Sequence, residues 1–137
     1  LSPHYLERAR ANLAPWRGVA FHRAPAERSG LPDAGFDVVS AVFLFHELPP
    51  AVRKQVAGEI ARLLKPGGLF LFADSLQLGD HPPYDPLIRQ FPLSFHEPYY
   101  AGYARCDLTR LFVEAGLIRE SWERAFFSKI GVFRRPA

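Results

Sequence analysis

Apolar and polar positions follow three rhythms along this chain, and each predicts a different element. From Phe36 to Phe45 almost every residue is Val, Ala, Leu or Phe. A continuous run of that length predicts a parallel strand covered on both faces. Pro49-Pro50 then opens a helix, because proline costs nothing in a first turn. Val52, Val56, Ile60, Leu63 and Leu64 fall on one stripe of it, with Arg53, Lys54, Arg62 and Lys65 outside. Pro66-Gly67-Gly68 stops the helix and turns the chain into a second buried strand, Leu69 to Ala73. A right-handed crossover is the expected link between the two strands.

The flanks are less regular. Ser2-Pro3 opens a helix with Tyr5, Leu6, Ala9 and Leu13 at helical spacing, ending near Ala14-Pro15. Gly18 to Ala24 reads as a short strand ended by Pro25, and Glu27 to Gly35 as a loop. No period holds from Ser75 to Ala104, where prolines recur among aromatics. A long irregular segment inside a compact domain is usually functional. Asp107 caps a helix with Leu108, Leu111, Phe112 and Ala115 on one face, and Gly116 ends it. Leu117 to Phe127 and Lys129 to Arg134 read as two strands joined by a turn at Phe127-Ser128.

Composition narrows the function classes. A chain of 137 residues suits one domain. Its net charge of +3 is spread among scattered arginines, so no nucleic-acid stripe is expected. The longest apolar run, Val38 to Phe45, is too short to span a bilayer, so no membrane partner is expected. A single cysteine, Cys106, excludes an internal disulfide and a thiolate zinc site. A reducing, cytoplasmic setting is the expectation.

The chemistry gathers at strand ends. His46 and Glu47 follow the first buried strand, and Asp74 and Ser75 end the second. In open α/β sheets ligands bind beyond the carboxyl ends of the strands. His46 titrates nearest neutrality, so it is the candidate base, with Glu47 beside it. His96, Glu97, Tyr99 and Tyr100 form a second polar and aromatic concentration, which suits a lid or an acceptor pocket. The His-Glu pairs lack the spacing of a zinc-protease helix, and no metal site is expected.

Four stretches carry a family resemblance: LSPHYLERARANL, AERSGLPDAGFDVVSAVFLFHEL, EIARLLKPGGLFLFADS and DLTRLFVEAGL. In this order and spacing the chain resembles the class I S-adenosylmethionine-dependent methyltransferases, from just after their second motif onward. The resemblance implies an incomplete Rossmann-like α/β sheet, holding family strands three to seven with an antiparallel C-terminal hairpin. It implies one partial domain over 1–137, with 76–104 a substrate-side insertion or lid. S-adenosylmethionine is the implied cofactor and a small molecule the implied acceptor. Leu1, Ala26, Glu27, Val42 and Phe43 match cofactor-binding positions, and His46 and Glu47 match catalytic ones. Asp74, His96, Glu97, Tyr99 and Tyr100 are the substrate-side candidates.

Departures from the family pattern matter as well. Its Gly-rich first motif has no counterpart here, and its ribose-holding acid would stand immediately before Leu1. Pro25 occupies a place where many relatives bond the adenine amino group through Asp or Asn. The chain is therefore expected to be a truncated domain that binds the cofactor weakly or not at all. The family strand order, 3-2-1-4-5-7-6, implies an exposed apolar edge on the Phe36–Phe45 strand. An upstream segment, a homodimeric or swapped partner completing the sheet, or a rearranged fold would each answer it. The rival reading is a degenerate methyltransferase-like module acting in protein association. A dehydrogenase fits the KPGG pattern poorly.

Overall fold

A computed structural model describes residues 3–137. Helix α1 (Pro3–Leu13) comes first, followed by a strandless stretch to Gly35. Then come β1 (Phe36–Val42), α2 (Pro50–Leu63) and β2 (Leu64–Ser75). Helices α3 (Asp85–Ser94), α4 (Tyr100–Tyr103) and α5 (Leu108–Glu114) precede the hairpin of β3 (Ile118–Ala125) and β4 (Ser128–Arg134). The sheet order is β1-β2-β4-β3. β1 and β2 are parallel, and the other two pairings are antiparallel. This is the remainder of the family order when family strands four to seven are present.

Gly18 to Ala24 forms no strand. In the family order that strand's only neighbour is strand two, and no such strand stands among the described residues to hydrogen-bond with it. The loop that follows it is held to α2 instead. Glu59 of α2 accepts from Ser29 N (2.9 Å) and Ser29 Oγ (2.6 Å), and Ala34 N donates to the Arg62 carbonyl (2.9 Å). The hydrogen-bonded Arg62 guanidinium, helped by Ser29, holds the Glu59 carboxyl down at about 2.

The strands follow period two, and among the described residues helices cover only one face. Ala41 of β1 and Phe70, Phe72 and Asp74 of β2 point inward and are buried. Val38, Val42 and Leu71 point outward and stay exposed. The expectation of a strand covered on both faces is corrected here: α2 and α5 pack on one side, and α1 buries none of its residues. β1 is also the terminal strand, so its outer edge is unpaired among the described residues.

The core is a cluster of rings. Phe112 from α5 lies 5.2 Å from Phe45, 5.0 Å from Phe70 and 4.8 Å from Phe133, measured between centroids. These edge-to-face and tilted pairs each add about 0.5–1.5 kcal/mol beyond area burial. Trp122 closes the cluster at 5.5 Å from Phe72, with its indole N–H donating to Thr109 Oγ1 (2.9 Å).

Two glycines are required by close approach. A Cβ on Gly68 would meet the Lys65 and Asp37 carbonyl oxygens at 2.9 and 3.0 Å. The Pro66-Gly67-Gly68 turn is thus a bulge inside β2, at the register shift between Phe36 and Val38, and not a break before it. A Cβ on Gly131 would meet the Trp122 ring at 2.3 Å. Gly131→Ala is expected to cost about 1–3 kcal/mol, because a pinned indole must move. Urea unfolding with tryptophan fluorescence measures it, and an unchanged midpoint would contradict the packing.

The irregular segment after β2 contains α3 and α4. Pro86 sits in the first turn of α3 and Pro92 inside it, which hid the helix from pattern reading. Leu76, Ile88, Tyr100 and Ala104 form its own small core.

Candidate functional site

The register of β1 on β2 builds the site. Val42 pairs with Ala73, so the two strands end side by side. Phe43 then adopts a left-handed conformation (φ 48°), with its N–H donating to the Ala73 carbonyl (2.8 Å). A bulky residue rarely accepts that region, and such strain concentrates at functional sites. The turn sends Phe45, His46 and Glu47 across the end of β2, directly over Asp74.

Asp74 is wholly buried, on the inward-facing set of β2 where the ring core gives out. It accepts from Phe45 N (2.8 Å), Ser75 N (2.7 Å) and His46 Nδ1 (2.5 Å), with a longer approach from His46 N (3.4 Å). A carboxylate only accepts, so Nδ1 carries the proton and Nε2 holds the lone pair of the neutral ring. Among the described residues Nε2 has no protein partner, and no buried side-chain nitrogen or oxygen lacks one. Nε2 therefore keeps contact with solvent, although His46 is only 9% exposed.

Electrostatics follow from this packing. Burial works against charge on His46, but the Asp74 hydrogen bond and charge outweigh it, and Glu97 and Glu47 add to them. The His46 pKa is raised above its ordinary 6.5. Around the imidazole stand Phe43, Tyr100 and Tyr103, at centroid distances of 6.3, 6.0 and 6.1 Å. Burial pushes both tyrosine hydroxyls up, so they stay neutral donors. Tyr103 donates to the Ser75 carbonyl at 2.5 Å.

Arg53 fastens these pieces together. It is 2% exposed and has no carboxylate partner among the described residues. Its Nε donates to the Phe45 carbonyl (2.8 Å) and its Nη2 to the Tyr99 carbonyl (2.7 Å). Its guanidinium lies 5.7 Å from the Tyr103 ring centre. The His46 turn and α4 are thereby tied to one helix. Stripe reading set Arg53 outside the buried face. The missed signal was spacing: Arg53, Val56, Ala57 and Ile60 stand at i, i+3, i+4 and i+7, and all are buried.

The candidate residues separate by position. His46 and Asp74 are brought together, with Asp74 wholly buried and gripping the imidazole. Glu47 is exposed and acts on His46 only through its charge. Tyr100 is buried beside His46, and Glu97 is half-buried close enough to favour its protonation. His96 and Tyr99 are exposed, and Tyr99 contributes its carbonyl. Val42 and Phe43, 61% and 50% exposed, present apolar surface at the end of β1. Ala26 is exposed and Glu27 half-buried in a turn, with no hydrogen bond to the site among the described residues. Leu1 lies outside the described residues.

Comparison with known proteins bears on the family and the fold. The family model described as a methyltransferase domain matches residues 1–72, and the chain belongs to that family. No curated protein matches the chain in sequence. Among solved structures, one described as a possible exported protein from Bordetella parapertussis is 20% identical, with TM-score 0.76. The match covers 99% of this chain and 51% of that one. A structure described as the complex of the Haloferax volcanii Trm112 methyltransferase activator and the putative methyltransferase is 18% identical with TM-score 0.76, covering 99% and 70%. A SAM-dependent methyltransferase from Methanosarcina mazei is 12% identical with TM-score 0.68, covering 98% and 79%. The chain thus spans about half to four-fifths of these structures' length, and the likeness shows a shared fold. S-adenosylmethionine is the usual cofactor of such proteins, and folds of this kind take protein partners. No described helix is long and apolar enough to cross a membrane.

Proposed function

We propose that this chain is the acceptor-side portion of an S-adenosylmethionine-dependent methyltransferase acting on a small molecule whose accepting atom carries a proton. The observation that carries the reading is the 2.5 Å contact from His46 Nδ1 to buried Asp74, at the shared carboxyl end of two parallel strands. Nε2 of His46 takes the proton from the accepting oxygen or nitrogen. Asp74 is a positioning residue, holding the tautomer and steadying the imidazolium that forms. Tyr100, Tyr103 and Phe43 keep water from most of the ring.

The residues present suit one wall of a cofactor site. Phe43 offers an exposed ring face at the end of β1, and such a face attracts a nearby cation by about 0.5–2 kcal/mol. Val42 extends that surface. When bound, S-adenosylmethionine supplies a methyl group already activated by a positive sulfonium. Val42 and Phe43 would hold its methionine part, with Ala26 and Glu27 toward its adenine. The segment 76–104 serves as the substrate-side lid, and the lone Cys106 suits a cytoplasmic setting.

Titration of the 137-residue chain with S-adenosylmethionine, followed by NMR, tests this. Shifts confined to the Val42 methyls and the Phe43 and His46 rings are expected near about millimolar ligand. Shifts absent there, or scattered over the surface, would contradict it.

A second reading has its own support. The unpaired edge of β1 and exposed Val38, Val42 and Leu71 suit a module that associates through its sheet, in a homodimer or with a swapped partner. A molar mass near twice 15.5 kDa favours it, and a monomer argues against it.

A further inference from the structure

A second feature adjoins the His46–Asp74 pair. Leu76 just past β2, Leu87, Ile88 and Phe91 of α3, Tyr100 of α4 and Phe127 of the hairpin turn enclose a cavity of about 250 Å³. Ser75 is its one remaining lining residue, and no charged side chain lines it. Phe91 and Tyr100 stand 4.7 Å apart, tilted by 42°, as two walls of a slot. Leu87 and Phe127 are partly exposed at its mouth. A sealed apolar cavity of about 150 Å³ takes up benzene, and this larger, open-mouthed one has room for a fused or substituted ring.

Its inner wall is shared with the site. Tyr100 lines the cavity, and its ring lies 6.0 Å from the His46 ring. Ser75 lines it too, and its N–H donates to Asp74. We propose that this cavity binds the neutral aromatic ring of the methyl acceptor. The ring's identity as acceptor rests on the methyl-transfer reading; its binding does not. Ser75 and Tyr100 bring the lining's only hydroxyls and no carboxylate lines it, so most of a sugar's hydroxyls and the charge of an amine would be buried unmatched, which is unfavourable.

The test is methyl NMR of the 137-residue chain titrated with indole, and separately with ethanolamine. Indole shifts the Leu76, Leu87 and Ile88 methyls and saturates, while ethanolamine leaves them in place. Ile88→Trp, which fills the cavity, weakens indole binding at least about tenfold and leaves the His46 titration unchanged. If that variant fails to fold, the titration of the unaltered chain decides. Indole shifts that are absent, or spread equally to Val42 and Leu71, overturn the proposal. So does ethanolamine moving the same methyls. Indole binding beside a His46 that titrates at or below its ordinary value sinks the base and leaves the cavity standing. A high-titrating His46 without indole binding sinks the cavity alone.

Discussion

His46→Asn lowers the rate of methyl transfer by about 10²–10⁴-fold, the range a positioned proton acceptor contributes. Asparagine keeps an N–H donor for Asp74, so the buried carboxylate retains a partner and the fold survives. It has no nitrogen lone pair able to take the acceptor's proton. The loss therefore falls on kcat and not on cofactor affinity. The pH dependence sharpens the expectation. His46 must be neutral to act as a base, and its pKa is raised above 6.5. The rate of the unaltered chain then climbs as pH rises through that value, and the climb disappears in the variant. Product formation with aromatic hydroxyl and amine acceptors, followed across neutral pH, measures both effects. An unchanged rate with an unchanged pH profile would remove His46 from the mechanism.

Asp74→Ala destabilises the fold by about 3–5 kcal/mol, the usual cost of removing one partner from a buried pair. Its carboxylate serves the Phe45 and Ser75 N–H groups as well as the imidazole, so several donors lose their acceptor together. The pH dependence of that cost has a definite sign. A group with a raised folded pKa stabilises fully below its unfolded value, and the contribution fades as pH rises through the folded one. The gap between the unaltered chain and Asp74→Ala is therefore widest below 6.5 and narrows above it. Urea midpoints at several pH values test this. A gap that widens with rising pH would contradict the raised pKa.

Local rules made the central unit legible. The apolar run that becomes β1, the proline-opened stripe of α2 and the Asp107 cap (side chain accepting from Arg110 N, 2.9 Å) follow period and capping, although β1 ends at Val42, short of Phe45, and Leu64 leaves the stripe to open β2. The parallel ending of β1 and β2 was legible for the same reason, and it points to His46. Whether Gly18 to Ala24 pairs, and which face of β1 is covered, was not legible, because both depend on neighbours. Gly18 to Ala24 has strand-like composition but no strand to join among the described residues. The outer face of β1 is apolar in sequence and bare in structure. Asp74 looked like a substrate-facing strand end. Only the register, Val42 on Ala73, shows that its side chain turns inward under His46. Arg53 looked like surface charge until its carbonyl partners appeared. Helix α3 was hidden by Pro86 and Pro92, whose effects depend on where in a helix they fall.

The imidazole of His46 is the place to measure. An NMR titration of its ring in the unaltered chain should show Nδ1 protonated in the neutral form and a pKa above 6.5, falling in Asp74→Asn. A ring titrating at or below 6.5, or one indifferent to Asp74, would contradict the proton-accepting pair on which the proposed reaction depends.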